Sequence, residues 1–449
     1  MGHDGAMAEA TTHVDWTGRF QGTSVAETTP HTTADVVRAV QQARDHGWAI
    51  HVQGGNTGLV GGSVPATERP TLLLRTTGLD QLGAVDPASR QVSVGAGVTL
   101  ADLQGHAAAS GWYYPVDLAA RDGATVGGTV ATNAGGVRVI RYGMTAAHVV
   151  GVEAVLADGS VIDDTSGLLK NNTGYRWSAL LTGSEGTLGI ITRVRVALEL
   201  RPCATTVAML PVDTLSEAVA VTARLRGEPG ADLLASEVLD AVSCRLWRDQ
   251  NTATPLPCTH RWLLLLEVAD GADASGLAPL LEDTSAISPV STDSLIVATS
   301  PPQQRRLWQM REGLSEAYAR AATESGRTVV KLDVSLPAAA LDEFVSAARR
   351  LCEEAPGRPM LGIFGHVGDG NLHLEVLGPP AGAAEAEHGL LHLVAQHAGS
   401  ISAEHGIGRA KRNYLPLSRS QADIAAMRAV KKALDPDCRL NPGILLPQP

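Results

Sequence analysis

The sequence predicts an α+β protein with more than one domain. Its 449 residues exceed what one hydrophobic core usually serves, so two or three domains are expected. Helical and strand-like segments alternate along the chain, and three glycine-rich clusters all lie before residue 203. We therefore predict one domain over residues 1–203, a second over residues 204–400, and a C-terminal segment over residues 401–449.

The composition narrows the classes of function. The net charge is −11 and no run of Lys and Arg is present, which argues against nucleic acid as a partner. The start of the chain lacks a basic region followed by an apolar one, and no apolar run approaches the ~18 residues that span a membrane. We expect a cytoplasmic protein with no signal peptide and no transmembrane segment.

The five cysteines also indicate a reducing compartment. They are scattered, odd in number and form no CxxC pair, so we expect no disulfide framework and no thiolate zinc or iron–sulfur site. The cysteines are Cys203, Cys244, Cys258, Cys352 and Cys438.

The first domain is predicted to alternate regular elements with glycine-rich turns. Residues 35–46 have the apolar spacing of a helix, and residues 48–53 have the pattern of a strand. Residues 149–162 are predicted to form a hairpin that is closed by Asp158-Gly159. The three glycine clusters occupy residues 54–65, 124–143 and 180–198.

The second domain is predicted to mix strands and helices without such clusters. Residues 213–227 and 307–320 have helical spacing, whereas residues 261–268 and 329–337 have the apolar pattern of strands. The stretch "GHVGDGNLH" at 365–373 favours a tight turn because glycine, aspartate and asparagine lie at its centre.

The glycine clusters predict a backbone-lined nucleotide site. Glycine lets backbone N–H groups approach a phosphate or a flat ring, because no Cβ stands in the way. "GGNTGLVGG" does not fit the G-x-G-x-x-G pattern, which excludes a Rossmann dinucleotide site. A single cluster is more often an ordinary turn, but three in tandem favour a nucleotide laid along a groove.

Four segments carry a family resemblance: "QGGNTGLVGGSVP", "YPVDLAARDGATVGGTVATNAGGVRVIRYG", "NNTGYRW" and "GSEGTLGIIT". They resemble the FAD-binding domain of the vanillyl-alcohol-oxidase-type flavoproteins, and within that superfamily the FAD-linked D-2-hydroxyacid dehydrogenases. The resemblance implies a FAD-binding domain in two parts, an α+β cap domain over the flavin, and a C-terminal segment that returns to the flavin. For Asn441 in that segment, a plain loop role is the alternative. The implied FAD-binding residues are Gly54, Gly55, Asn56, Thr57, Gly58, Gly61, Gly62, Pro115, Asp117, Gly127, Gly128, Thr132, Asn133, Gly135, Glu185, Gly186, Gly189, Ile190 and Asn441.

His51 is the histidine beside the first glycine cluster. Some flavoproteins of this superfamily attach the flavin covalently through a histidine. A buried or edge polar role suits an isolated histidine in a strand better, so we predict non-covalent FAD.

His366 and His373 are predicted to be metal ligands. The glycines between them would let the turn aim both rings at one point, and two imidazoles with a carboxylate commonly bind zinc, iron or manganese. Glu404 in "SAEHGIG" is the candidate third ligand, while a structural role for the two histidines is the alternative. The resemblance implies the same ligand set and assigns His405 to catalysis. If residues 401–406 continue a strand, Glu404 and His405 point to opposite sides.

Three side chains are predicted to bind the substrate carboxylate. Arg311 and Ser315 share one face of a helical segment, and Lys331 interrupts an apolar strand. An ion pair with a neighbouring glutamate is the alternative for Arg311, whereas the resemblance implies substrate recognition by all three. Relatives that prefer D-2-hydroxyglutarate usually have Asn where this chain has Glu375, which leaves open whether Glu375 reaches the metal.

Together these features predict an FAD-dependent dehydrogenase that oxidises a D-2-hydroxy acid, preferably D-2-hydroxyglutarate. A divalent metal, with zinc favoured over manganese or iron, would acidify the C2 hydroxyl, neutral His405 would take its proton, and hydride would pass to flavin N5. D-lactate or glycolate as substrate, a flavin-binding subunit of a larger dehydrogenase, and a metallohydrolase are the alternatives. Electrons are expected to leave to an external electron-transfer protein or quinone, and a homodimer is left open.

Overall fold

The computed structural model describes residues 10–227, 232–251, 260–269 and 295–447. The chain folds into two compact units. The first unit comprises Met1–Gly136, Gly143–Arg201 and Glu404–Pro449, and the second comprises Val137–Tyr142 and Pro202–Ala403. The three-part division drawn from the sequence stays a prediction. Cys258 and the first nine residues, on which the signal-peptide prediction depends, lie outside the described residues.

The strands follow one another as β1 (Thr11–Val14), β2 (Gln21–Ser24), β3 (Ala26–Thr28), β4 (Ala49–Gln53), β5 (Thr71–Arg75), β6 (Gln91–Gly95), β7 (Val149–Val155), β8 (Val161–Asp163), β9 (Ile190–Ala197), β10 (Thr205–Val212), β11 (Asp232–Asp240), β12 (Trp262–Ala269), β13 (Ile296–Ala298), β14 (Thr328–Ser335), β15 (Met360–Gly365) and β16 (Asn371–Gly378). The helices are α1 (Thr33–Asp45), α2 (Leu100–Ala109), α3 (Val126–Thr132), α4 (Val139–Tyr142), α5 (Thr145–His148), α6 (Trp177–Leu181), α7 (Leu215–Gly227), α8 (Ala241–Gln250), α9 (Pro301–Glu312), α10 (Leu314–Ser325), α11 (Leu341–Glu354), α12 (Pro380–Gln396) and α13 (Gln421–Leu434).

The first unit contains a parallel sheet in the order β3-β5-β4 and an antiparallel sheet in the order β6-β9-β7-β8. Helix α1 begins at a capping box of Thr32 and Asp35, and its apolar face is buried in the core. Strand β4 is the next element after α1, which confirms the helix predicted over residues 35–46 and the strand predicted over residues 48–53. The hairpin of β7 and β8 turns at Asp158-Gly159 as predicted, with Gly159 at a φ of 90°.

The second unit is built on an antiparallel seven-stranded sheet in the order β13-β10-β12-β11-β15-β16-β14. Strand β12 is buried along its whole length and lies between β10 and β11 in the sheet. On the neighbouring pair β14 and β16, Lys331 lies opposite Glu375 and Asp333 lies opposite His373. Since side chains alternate along a strand, these two pairs lie on the same face of the sheet.

Two local expectations are wrong. The helical segment predicted over 307–320 is two helices, α9 and α10, which meet at Gly313. A Cβ at Gly313 would overlap the ring of Trp247, so a glycine is required where the chain changes direction. Residues 401–406 form no strand, and strand-like pairing ends with a bridge between Ser335 and Ser400.

Within the described ranges, no helix has the length and apolar character to cross a membrane.

Candidate active site

The loop that follows β4 offers a row of hydrogen-bond donors. From Gly54 to Gly62, no backbone N–H donates to an acceptor in the part of the chain that the structure describes. Asn56 and Gly61 adopt left-handed φ values of 54° and 69°, which bend the loop so that successive N–H groups can converge. Backbone concavities of this kind bind phosphate, so the loop fits the diphosphate of FAD.

Small residues allow this loop to approach α3 closely. A Cβ at Gly55 would overlap the carbonyl oxygen of Gly123, and one at Gly54 would lie 2.5 Å from the Thr125 hydroxyl. Gly127 packs against Ala96, where an added Cβ would lie 2.6 Å from the alanine Cβ. These glycines are therefore required for backbone packing, whatever further contact they make with a cofactor.

The third glycine cluster holds the C-terminal segment onto the rest of the first unit. The buried Glu185 carboxylate accepts hydrogen bonds from the N–H groups of Ile407 and Gly408, both at 2.8 Å. Burial raises the pKa of Glu185 in spite of these bonds. The Asn441 amide bridges β4 and the turn before β9, since it accepts from Val52 N–H and donates to the Glu185 carbonyl, each at 2.8 Å.

Glu185 and Asn441, to which the resemblance assigns FAD binding, form these contacts within the protein. Ile190 is likewise buried in the core of the first unit. The cofactor roles of Glu185, Gly186, Gly189, Ile190 and Asn441 stay predictions.

The predicted flavin-side residues also have structural partners. The Thr132 hydroxyl donates to the Gly128 carbonyl at 3.0 Å, and the Asn133 side chain accepts from the N–H of Ala146 at 2.9 Å. Pro115 is buried, and Asp117 forms an ion pair with Arg121 at 3.2 Å. Their predicted contacts with the flavin stay predictions.

Glu404 is positioned by a pair of glycines. Its carboxylate accepts the N–H of Gly136 at 2.8 Å, and a Cβ at Gly135 would lie 2.6 Å from the same oxygen. Gly135 is thus needed so that Glu404 can reach the backbone. Glu404 and the half-buried His405 belong to the first unit.

His51 is fully buried in β4 and interacts with the adjacent loop. Its Nε2 lies 3.1 Å from the carbonyl oxygen of Gly62, and its Nδ1 has no partner among the described residues. Burial lowers the pKa of His51 to about 4. The ring is therefore neutral near pH 7 and donates from Nε2 to Gly62, while the prediction of non-covalent FAD stays untested.

His366 and His373 meet at the turn between β15 and β16, within the second unit. His366 follows β15, His373 is the third residue of β16, and Gly370 takes a φ of 80° between them. The two Nε2 atoms lie 3.4 Å apart. The sequence predicted that the turn would aim both rings at one point, and the structure places them so.

A carboxylate lies behind each of these imidazoles. The Nδ1 of His366 lies 2.5 Å from the Glu237 carboxylate, and the Nδ1 of His373 lies 3.6 Å from that of Asp333. Both acids are fully buried. When each Nδ1–H is directed at its carboxylate, each Nε2 presents a lone pair, and two lone pairs facing each other repel unless a cation lies between them.

This arrangement fits a divalent metal. Two imidazole nitrogens bound to one tetrahedral zinc at about 2.0–2.1 Å lie roughly 3.3 Å apart, close to the 3.4 Å between the Nε2 atoms here. Histidine ligands usually donate their other N–H to a carboxylate, which fixes the tautomer and the ring orientation. Glu237 and Asp333 are in position to do this.

The three side chains predicted to bind the substrate carboxylate fall into two groups, Arg311 on the one hand and Ser315 with Lys331 on the other. Arg311 is buried, donates from Nε to Glu237 at 2.6 Å, and stacks on Phe364. Its Nη groups donate to no acceptor among the described residues. Arg311 therefore pairs with Glu237 on β11 and not with a neighbouring glutamate of its own helical segment, which was the alternative drawn from the sequence.

Ser315 and Lys331 converge on Glu375. The Ser315 hydroxyl donates to Glu375 at 2.9 Å, and Lys331 Nζ lies 3.9 Å from the same carboxylate oxygen. Burial raises the pKa of Glu375 to about 7, against the opposing effects of Lys331 and Ser315. In this structure Glu375 therefore contacts two of the side chains that were predicted to bind the substrate, Ser315 and Lys331.

The sequence analysis missed the residues behind the histidines. Asp333 lies two positions after Lys331 on one predicted strand, so strand alternation already placed both on one face. Glu237 is an acid inside the apolar stretch "LLASEVL", which is the same signal that singled out Lys331. Only the sheet order could assign these acids to their histidines.

Two protein-family profiles match the chain. One, described as FAD binding domain, matches residues 26–165, and the other, described as FAD linked oxidases, C-terminal domain, matches residues 201–445. The second match alone covers more than half of the chain. The chain belongs to the FAD-linked oxidases. It is an FAD-dependent oxidoreductase, and the resemblance to the vanillyl-alcohol-oxidase-type flavoproteins is confirmed.

This FAD-linked oxidase is similar to curated proteins over nearly its full length. It is 37% identical to the mitochondrial D-2-hydroxyglutarate dehydrogenase of Danio rerio, over 97% of this chain and 81% of the relative. It is 34% identical to the D-2-hydroxyglutarate dehydrogenase of Xanthomonas citri pv. viticola, over 96% and 91%. A Schizosaccharomyces pombe mitochondrial protein, by name a candidate D-lactate dehydrogenase, is 34% identical over 97% and 83%.

Solved structures share the fold of this FAD-linked oxidase. An alkyldihydroxyacetonephosphate synthase matches with a TM-score of 0.72 at 17% identity, over 95% of this chain and 77% of that chain. A p-cresol methylhydroxylase matches with a TM-score of 0.71 at 15% identity, over 94% and 88%. The predicted α+β fold is thereby confirmed.

Proposed function

We propose that the protein oxidises a D-2-hydroxy acid to the 2-oxo acid, with FAD as the electron acceptor. The observation that carries this proposal is the carboxylate-backed pair His366 and His373, whose Nε2 atoms lie 3.4 Å apart. A metal held there suits a substrate with adjacent carboxylate and hydroxyl oxygens. The names of the relatives support D-2-hydroxyglutarate, with D-lactate or glycolate as alternatives.

The loop from Gly54 to Gly62 is proposed to hold the FAD diphosphate through its N–H groups. Bound FAD would supply the hydride acceptor. The cofactor is non-covalent in this proposal, since neutral, buried His51 is directed at the Gly62 carbonyl.

His366, His373 and Glu404 are proposed to hold a divalent metal, with zinc favoured over manganese or iron. The metal would supply Lewis acidity that lowers the pKa of the substrate hydroxyl. Glu237 orients the ring of His366 through the hydrogen bond at Nδ1, and Asp333 lies 3.6 Å behind the Nδ1 of His373. The Glu404 carboxylate is held by the N–H of Gly136.

The remaining side chains bind substrate and move the proton. His405, next to Glu404 in the chain, is the proposed general base for the C2 hydroxyl. Arg311 has both Nη groups available for a substrate carboxylate, because only its Nε is used by Glu237. Ser315 and Lys331 are proposed to contact the distal end of the substrate.

Anaerobic bleaching of the flavin absorbance tests the proposal. We expect bleaching by D-2-hydroxyglutarate, D-lactate or glycolate and none by L-2-hydroxyglutarate, with activity lost in EDTA and restored by zinc or manganese. A colourless protein after FAD reconstitution, or a flavin that no D-2-hydroxy acid bleaches, would overturn it. A colourless protein that hydrolyses esters or phosphates would support the metallohydrolase alternative.

An external electron-transfer protein or quinone as acceptor, a homodimer and a cytoplasmic location are further proposals. The acceptor rests on the absence of a sequence signal for an internal electron relay, and the location rests on the cysteine usage. Reoxidation rates with quinone analogues and oxygen, light scattering and cell fractionation test them in turn.

A further inference from the structure

Glu375 has a buried carboxylate with one oxygen unsatisfied. Its Oε1 accepts the Ser315 hydroxyl at 2.9 Å and lies 3.9 Å from Lys331 Nζ. Its Oε2 is buried and has no hydrogen-bond partner in the described part of the chain. A buried polar atom without a partner is destabilising, so such an atom marks a place where a ligand group that donates a hydrogen bond would be stabilised.

The register of β14 and β16 places this carboxylate beside the histidine pair. Lys331 opposes Glu375, and Asp333 opposes His373, so the two cross-strand pairs lie side by side on one face. Two residues along a strand are about 6.6–6.8 Å apart. That separation suits a hydroxy acid of four or five carbons that has its reacting end at the histidines and its far end at Glu375.

The charges at this position disfavour a second carboxylate. Lys331 is the cation that would bind a distal carboxylate, but Glu375 already lies against it. A substrate carboxylate would therefore meet a cation that Glu375 already engages, and it has no O–H or N–H group to offer to Oε2. A group that donates a hydrogen bond would instead satisfy Oε2.

We propose that Glu375 determines chain-end specificity, and that the subsite of Ser315, Lys331 and Glu375 takes an uncharged hydrogen-bond donor in preference to a second carboxylate. Hydroxyl and primary amide groups are donors of this class. The proposal rests on the proposed function, because it concerns the far end of the same D-2-hydroxy acid substrate. It narrows the range of preferred substrates, because Glu375 is then expected to lower kcat/KM for D-2-hydroxyglutarate.

A matched substrate pair tests this proposal. D-2-Hydroxyglutarate and its 5-amide, D-2-hydroxyglutaramate, differ only in the distal charge and in the donor N–H groups. The holoenzyme is assayed by anaerobic flavin reduction with each acid and with D-lactate, which lacks a distal polar group. We expect a higher kcat/KM for the amide than for the dicarboxylate.

Substitution of Glu375 should reverse this preference. Glu375→Gln and Glu375→Asn should raise kcat/KM for D-2-hydroxyglutarate at least tenfold, equivalent to about 1.4 kcal/mol, and lower it for the amide. The flavin absorbance spectrum and the melting temperature of each variant report whether it is folded. Glu343→Gln removes one negative charge from an exposed position of the same unit and should leave all three substrates unchanged.

The outcomes separate this proposal from the proposed function. If the wild-type flavin is bleached by no D-2-hydroxy acid, the proposed function fails and the specificity proposal fails with it. If the acids are oxidised but the ratio of amide to dicarboxylate is the same in wild type and both Glu375 variants, the specificity proposal alone is overturned. Competitive inhibition by glutarate and by its monoamide gives a second readout that does not depend on hydride transfer.

Discussion

At the scale of residues, buried carboxylates lie behind both histidines, and one of them also pairs with Arg311. Glu237 joins His366 to Arg311, and Asp333 lies behind His373. Burial opposes ionisation of Glu237, but the charges and hydrogen bonds of His366 and Arg311 outweigh it and lower the pKa of Glu237. Glu237 is thereby held as a carboxylate beside the Nδ1 of His366, and Asp333 lies 3.6 Å from the Nδ1 of His373.

Asp333→Asn should weaken metal binding by roughly 10–100-fold, because an amide no longer favours a protonated Nδ1 on His373. Metal content after dialysis against a zinc buffer series measures the change. Glu343→Gln is the control, and an Asp333→Asn protein that retains zinc with wild-type affinity would contradict the assignment.

His51 should make the first unit less stable in acid. Its pKa falls from 6.5 when unfolded to about 4 when folded, so the unfolded chain binds the extra proton as the pH decreases between these values. Its contribution to stability is complete above pH 6.5 and is lost towards pH 4, by at most roughly 3 kcal/mol at about 1.4 kcal/mol per pH unit.

Thermal unfolding of His51→Gln as a function of pH measures this contribution. The glutamine amide can still donate to Gly62, so the variant should lose less stability than wild type between pH 6.5 and 4. The same substitution at the exposed His46 should not change the slope. Parallel curves for wild type and His51→Gln would refute the prediction.

At the scale of elements, close backbone packing positions the loop proposed for FAD. The loop after β4 approaches the segment before α3 at Gly55 and Gly123, where no Cβ fits. The break between α9 and α10 has a similar cause, since Gly313 leaves room for the Trp247 ring. In both places periodicity predicts the elements, whereas the contact with a distant residue determines where they end.

Gly55→Ala should reduce FAD binding at least tenfold, because its Cβ would displace the loop from Gly123. Fluorescence titration of the apoprotein with FAD measures the affinity. Gly105→Ala is the matched control: it lies exposed on α2 with open space around an added Cβ, and should stabilise the helix by up to about 1 kcal/mol. Unchanged FAD affinity in Gly55→Ala would refute the packing argument.

At the scale of the molecule, the C-terminal segment belongs to the first unit. Glu185 binds the N–H groups of Ile407 and Gly408, Asn441 bridges Val52 and Glu185, and the buried Lys431 donates to the Thr187 carbonyl at 2.7 Å. The predicted return of this segment towards the flavin-binding part agrees with these contacts. In this segment the side chains of Asn441 and Lys431 form hydrogen bonds with backbone groups of the first unit.

Asn441→Ala should lower the free energy of unfolding of the first unit by roughly 2–3 kcal/mol, because it leaves buried backbone groups without partners. The melting temperature should fall by several degrees in calorimetry. Asn171→Ala, at an exposed loop position, should change it by less than one degree. A melting temperature equal to that of wild type would show that the bridge is dispensable.

The sequence by itself determined the α+β class, the glycine-rich nucleotide site and the histidine turn. Each of these depends on neighbours in the chain: periodicity, the missing Cβ of glycine, and the turn preference between His366 and His373. Only the tertiary structure decided which acidic side chain contacts which histidine, serine or cation. Glu237 lies 129 positions from His366, and Glu375 lies 60 from Ser315, so their pairing depends on strand order and register, which no local pattern encodes.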